Sequence, residues 1–165
     1  MIEAVIFDLD GTLINLPIDY EQLFREFSKI LKTKDLQPVT KTISNLDEKT
    51  KKRIFQVWDE KENLAWKKGT IKKEGLAIYS KFDDKPKALV TMQGKSLVQE
   101  IMNSSGLMFD SVVTREDSLG RTEQLQIAAR ELGVPLGKRI LFVGNTEGDA
   151  TAAKKVACQF MRVEE

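Results

Sequence analysis

A chain of 165 residues is long enough for one compact domain carrying an insertion, and 41% apolar with 31% charged residues excludes a disordered or collagen-like chain. The net charge of +1 gives no electrostatic reason for a nucleic-acid or membrane partner. The single cysteine, Cys158, excludes an internal disulfide and a thiolate metal cluster, and the absence of histidine excludes histidine base catalysis, serine–histidine triads and zinc–histidine sites.

The first element is a short apolar run, Ala4 to Phe7, cut off by Asp8 and Asp10. It lacks the basic start and longer apolar stretch of a signal peptide, and no run approaches the ~18 apolar residues of a membrane helix, so the expectation is a soluble, cytoplasmic protein. From 16 to 80 no strand pattern is legible. Tyr20, Leu23, Phe24, Phe27 and Leu31 form one helical stripe; Ile54, Val57, Trp58 and Ala65 form a second, ending near Gly69; Leu76, Ile78 and Tyr79 mark a shorter third. The lysines at 49–52 and 67–73 read as solvated helix faces, and the aromatic residues Phe24, Phe27, Trp58 and Trp66 as packing within the insert.

Beyond the insert, strands and helices alternate. Ala88 to Thr91, Ser111 to Thr114 and Ile140 to Val143 read as strands covered on both faces, with a weaker one at Gln159 to Val163. Between them Leu97, Val98, Ile101 and Met102 share a helix face stopped by Gly106. Leu125, Ala128, Ala129 and Leu132 share another, with Thr122 as N-cap and Gly133 as stop; Ala150, Ala153 and Ala157 line a third. The expected architecture is a three-layer, Rossmann-like parallel α/β core made of residues 1–15 and 81–165, with a small all-helical cap at 16–80.

The strongest chemical signal is Asp8-Leu9-Asp10-Gly11-Thr12-Leu13. Period 2 places Asp8 and Asp10 on one side of the chain, about 6–7 Å apart if the strand stays extended. They lie at the carboxyl end of a strand, where open α/β sheets bind ligands, and Gly11 lets the chain turn away. Two close carboxylates persist where a cation joins them or where their pKa values are split for acid–base work. A calcium loop fits poorly: Gly11 falls at its fourth rather than sixth position, and a strand, not a helix, precedes it.

In these residues the chain resembles the haloacid-dehalogenase-like hydrolase superfamily. Asp8-x-Asp10-Gly11-Thr12-Leu13 looks like its first motif, Ala88-Leu89-Val90-Thr91 its second, and Leu141 through Ala150 its fourth. Val113 to Ser118 and Leu132 to Pro135 are similar to phosphatases related to phosphoglycolate phosphatase, which carry a helical cap at the place of the insert. The resemblance implies phosphoryl transfer through an aspartyl-phosphate, with Asp8 as nucleophile and Asp10 as acid and then base. It further implies that Thr91 and the backbone N–H of Met92 hold the phosphoryl oxygens. Mg²⁺ would be held by Asp8, the Asp10 carbonyl and the fourth motif, here Asn145 and Asp149. Asp10 favours a phosphatase over a dehalogenase, because halide needs no leaving-group acid.

The sequence departs from the family pattern twice. The third-motif lysine is absent from Leu119-Gly120-Arg121-Thr122, leaving Arg121 and Lys95 as candidate phosphate contacts, and Asn145 stands where an acid is usual. One lost positive charge and one lost negative charge offset each other. The expected function is therefore a Mg²⁺-dependent phosphatase acting on a small phosphorylated metabolite. The alternative is a catalytically impaired relative that binds a phosphorylated ligand or a protein partner. Gly94-Lys95-Ser96 lacks the earlier glycine of a nucleotide-binding loop, since Leu89 stands there.

Overall fold

The computed structural model describes residues 1–164. Its centre is a five-stranded parallel sheet in the order β5-β4-β1-β6-β7. The strands are β1 (Ala4–Phe7), β4 (Lys87–Val90), β5 (Ser111–Val113), β6 (Ile140–Gly144) and β7 (Gln159–Arg162). Each lies within a residue of its sequence-predicted bounds. β1 pairs with β4 on one side, Ile6 opposite Ala88, and with β6 on the other, Ile6 opposite Phe142. Strand order thus reverses at β1, which puts its carboxyl end at the topological switch point where such sheets bind ligands.

Period 2 divides β1 between two cores. Val5 and Phe7 face a cluster with Leu89, Leu97, Val98, Ile101 and Val143. Ala4 and Ile6 face Leu125, Ala128, Ala129, Phe142, Ala152 and Ala153. Helix α5 (Lys95–Ser105) covers the first face, and α6 (Arg121–Leu132) and α7 (Glu147–Lys155) the second. Gly106 and Gly133 close α5 and α6 in the left-handed conformation, as expected of helix-stopping glycines. The N-terminus of α6 differs from expectation: its N-cap is Gly120, not Thr122, so Arg121 is the first helical residue. α7 ends at Lys155, and Ala157 lies beyond it at positive φ.

The insert holds α1 (Tyr20–Leu31), α2 (Val39–Ser44) and α3 (Glu48–Trp66). Asp19 and Asp47 cap α1 and α3 by accepting the Gln22 and Thr50 N–H groups. Leu23, Phe27, Leu36, Ile43, Ile54 and Trp58 form a core of their own beneath these helices. α4 (Lys73–Lys81) packs elsewhere: Ile78 and Tyr79 lie against the first core cluster, with Trp66. Strand pairing that the sequence does not show ties the start of the insert to its later part. β2 (Ile14–Asn15) and β3 (Thr70–Ile71) form an antiparallel ribbon where the chain enters and leaves the helical bundle. Among the described residues, no helix is long and apolar enough to cross a membrane.

Candidate active site

The turn after β1 is set by one carbonyl. Leu9 O accepts the N–H groups of Thr12, Leu13 and Ile14, while the Asp8 N–H continues the sheet ladder to Val143 O at 2.9 Å. Gly11 sits at φ +82°, and a β-carbon there would lie 2.0 Å from the Asn145 amide. Glycine is therefore required both for the turn and for the approach of β6.

This turn delivers Asp8 into a nearly closed polar nest; it is 5% exposed. Its Oδ1 accepts from Arg121 Nη2 at 2.8 Å, and its Oδ2 lies 3.4 Å from the Thr12 hydroxyl. Burial pushes the Asp8 carboxyl up to about 7, against the opposing pull of Arg121. Asp10 is partly exposed, and its Oδ1 accepts the Leu16 N–H at 3.0 Å, at the base of the β2–β3 ribbon. Burial raises its pKa as well, opposed by the N–H groups of Leu16 and Gly11. Gly11, Met92, Arg121 and Asn145 are partly exposed, as Asp10 is, and give the nest a rim open to solvent.

Arg121 is the hub. Besides Asp8, its Nε pairs with Asp149 Oδ1 at 3.0 Å and its Nη1 donates to Gln124 Oε1 at 2.7 Å. Asp149 Oδ2 accepts the backbone N–H groups of Asn145 and Thr146 at 3.1 and 3.2 Å, in a capping box that opens α7. Both Asp149 oxygens are thus engaged: it holds Arg121 against Asp8. The fork that makes arginine unlike lysine is used here, one edge per carboxylate.

Thr91, at the end of β4, is buried, and its hydroxyl hydrogen-bonds the Gln93 side chain. The Thr91 carbonyl accepts from Gln124 Nε2 at 2.8 Å, which ties α6 to the loop after β4. Met92 is partly buried beside Thr91. Lys95 is exposed at the start of α5, its backbone N–H on Glu116, and makes no contact with Asp8, Asp10 or Asp149. Glu147, between Asn145 and Asp149 in the sequence, is exposed and pairs with Arg162. The structure therefore brings together Asp8, Asp10, Asn145, Asp149 and Arg121, and leaves Lys95 outside. Sequence reading missed Gln124, although a glutamine one turn after Arg121 on the Leu125–Ala128 face is a polar group in a buried position.

Among the described residues no three acidic or thiol side chains converge as a metal cluster. A cation here would rest on mixed oxygen donors, and the nest supplies them. One end of the Asn145 amide lies 3.0 Å from Asp8 Oδ2 and 3.3 Å from the Asp10 carbonyl oxygen. Octahedral Mg²⁺ with bonds of about 2.1 Å holds neighbouring oxygens about 3 Å apart. With its oxygen inward the amide stands at such a spacing from each of the two oxygens; with its NH₂ inward it donates to both and fills the same place. Asp8, Asp10 and Asp149 against Arg121 leave two negative charges, which one divalent ion balances. The residues fit the ion.

The cap brings Tyr20 near Asp10 and Asp8, and Glu62 onto the loop after β4. Burial raises the Tyr20 pKa, and Asp10, Glu62 and Asp8 add to the rise. Glu62 is fully buried and paired with Arg115 at 2.8 Å, and burial pushes it from 4.5 up to about 7. Asp59, on the same helix and paired with Arg115, is raised too. A raised carboxyl binds its proton more tightly when folded, so its stabilising contribution is complete below pH 4.5 and is lost as pH rises through 7. Urea unfolding of the wild type is expected to give falling stability from pH 5 to pH 8. Glu62→Gln should flatten that fall by on the order of 3 kcal/mol; equal slopes in both proteins would contradict it.

An open parallel α/β sheet with paired acids at the tip of its central strand and a helical bundle inserted just after it defines a class of hydrolase folds. The chain has the fold of haloacid-dehalogenase-superfamily hydrolases. A haloacid-dehalogenase-like hydrolase from Streptococcus pneumoniae superposes with a TM-score of 0.69 at 16% identity, covering 98% of this chain and 84% of that one. A subfamily IA member from Geobacter sulfurreducens gives 0.66 at 15%, covering 98% and 89%. CbbY from Rhodobacter sphaeroides, solved in complex with phosphate, gives 0.64 at 18%, covering 99% and 87%. At such identities the likeness is one of fold. No family model and no curated protein matches the sequence.

Proposed function

We propose that the chain is a Mg²⁺-dependent phosphatase that hydrolyses a small phosphorylated metabolite through a phosphorylated Asp8. The observation that carries this reading is the placement of Asp8: a nearly buried carboxylate at the tip of the central strand, gripped by Arg121 on one oxygen and facing with the other the Asn145 amide, which also approaches the Asp10 carbonyl. A bound divalent ion, held by Asp8, the Asp10 carbonyl and the Asn145 amide oxygen, would neutralise the incoming phosphoryl oxygens. The chain's own groups do the rest. Asp8 Oδ1, the oxygen not turned toward Asn145, attacks phosphorus as the bond to the leaving oxygen breaks. Asp10, whose pKa is raised by its partly buried setting, gives that oxygen its proton. Asp10 then takes a proton from the water that attacks phosphorus, and inorganic phosphate and free Asp8 result. Thr91, the Met92 N–H and Arg121 surround the place of the transferred group and stabilise its charge. The likeness to hydrolase folds, one of them solved with phosphate, supports the same class of chemistry.

Hydrolysis of an aryl phosphate in Mg²⁺, lost in chelator, is the expected result; no turnover under any divalent ion would contradict it. A second reading, an impaired relative that binds a phosphorylated ligand, is favoured by one observation. The Asn145 amide can satisfy Asp8 without any metal. Asn145→Asp separates the two. A carboxylate at 145 adds charge to the cation's place, so Mg²⁺ should bind at least about tenfold more tightly. Without metal it faces Asp8 with no N–H to offer, and the thermal midpoint should drop. A midpoint unchanged with and without Mg²⁺ would show that residue 145 does not meet the ion.

A further inference from the structure

We propose that Arg115, with Glu62 and Asp59 of the cap, forms a clasp that fixes the phosphoryl-binding loop 91–94 only while the cap is shut, which makes Arg115 a positioning residue for catalysis. The proposal rests on the phosphatase reading for the role of that loop.

Arg115 follows β5 and is 1% exposed, the largest of the fully buried side chains. Its Nη1 donates to Glu62 Oε2 at 2.8 Å and to the Met92 carbonyl at 3.2 Å, and its Nη2 pairs with Asp59. Its guanidinium lies over the Trp58 ring at 4.2 Å and near Phe55 at 5.4 Å. Its backbone N–H bonds Gln93 O at 3.3 Å. Glu62 in turn accepts the Gly94 N–H at 3.0 Å through its other oxygen. Three consecutive loop residues are thus gripped, Met92 and Gln93 by Arg115 and Gly94 by a side chain of the cap. Gly94 fits the grip because it has no β-carbon: one placed there would lie 2.3 Å from Asp59 Oδ1 and 2.7 Å from Arg115 Nη2.

Cohesion between cap and core would be served as well by apolar side chains, since burying a guanidinium and two carboxylates costs desolvation that pairing often only repays. What charge adds is directional hydrogen bonding, and its bonds end on the backbone of the loop whose Thr91 and Met92 face the phosphoryl group. Opening the cap withdraws Glu62 and Asp59. The Gly94 N–H then loses its acceptor, and Arg115 keeps only the Met92 carbonyl and its own backbone bond. The loop regains freedom at the residues that must stand still around the transferring group. Closure over a small substrate therefore completes the cradle and excludes water in one movement.

The test compares wild type with Arg115→Met, Arg115→Lys and Gly94→Ala, the last leaving every charge in place while crowding the clasp. Amide hydrogen exchange is read at Gly94 and along α3 and α6, and inorganic phosphate binding and aryl phosphate kinetics are measured in Mg²⁺. Expected in Arg115→Met are at least about tenfold faster exchange at Gly94 and α3 with α6 unchanged. Phosphate binding should weaken, and kcat should fall about a hundredfold, more than KM rises. Arg115→Lys should recover part of this, and Gly94→Ala should reproduce it if Arg115→Met does not fold. Uniformly faster exchange, or slow Gly94 exchange with unaltered phosphate binding and kcat, would overturn the proposal. Exchange at Gly94 needs no turnover, so an inactive wild type would defeat the phosphatase reading while the clasp is still judged on its own.

Discussion

Asp8→Asn is expected to reduce phosphatase turnover by roughly four orders of magnitude or more, to background, because removal of a nucleophile leaves only what binding supplies. The loss should not be one of folding. Asp8 is 5% exposed and its burial already favours the uncharged form, so a neutral amide of the same size suits the site. The amide oxygen still offers an acceptor to Arg121, which also keeps Asp149. Circular dichroism and urea unfolding of the variant should therefore match the wild type to within about 1 kcal/mol. Unaltered turnover would remove Asp8 from the mechanism; an unfolded variant would show that its charge holds Arg121 in place.

Asp10→Asn comes next in size, about 10²- to 10⁴-fold in kcat, the range for loss of a positioned general acid–base. Its signature is dependence on the leaving group. A nitrophenolate leaves without a proton, whereas an alkoxide does not, so the variant should lose more activity on an alkyl phosphate than on an activated aryl ester. Asparagine can still meet the Leu16 N–H that Asp10 accepts now, which keeps the turn and the ribbon in place. Equal losses on both esters would assign Asp10 to binding rather than proton transfer. Because Asp10 also activates the water of the second step, phosphorylated protein should accumulate in this variant with the aryl ester.

Much of the core was legible because its signals are local. Four apolar residues ending in Asp8-x-Asp10-Gly11 announce a strand and its turn, and helix stripes closed by Gly106 and Gly133 carry their own stops. The β2–β3 ribbon was not legible, since two residues on each side cannot display a period and their pairing spans the whole cap. α2 is six residues long and follows Pro38, too short for a stripe. Arg121 could be named as a candidate, but its setting depends on Gly120 rather than Thr122 capping α6, which starts the helix two residues ahead of expectation. The same tertiary fact separates Arg121 from Lys95: both stand near a phosphate-type motif, and only the fold turns one inward. The Arg115–Glu62 pair joins residues 53 apart in sequence, and Trp58 read simply as cap packing. Such a contact leaves no mark along the chain, because an arginine after a strand and acids on a helix are ordinary surface features until the cap folds over.

The central claim is a covalent bond between phosphorus and Asp8. Acid-quenching the protein during turnover of an aryl phosphate in Mg²⁺, followed by mass spectrometry of its peptides, tests it directly. The expected result is the added mass of one phosphoryl group on the peptide containing Asp8, enriched in Asp10→Asn and absent from Asp8→Asn. Steady turnover with no such adduct in either the wild type or Asp10→Asn, or an adduct on a different residue, would contradict the account.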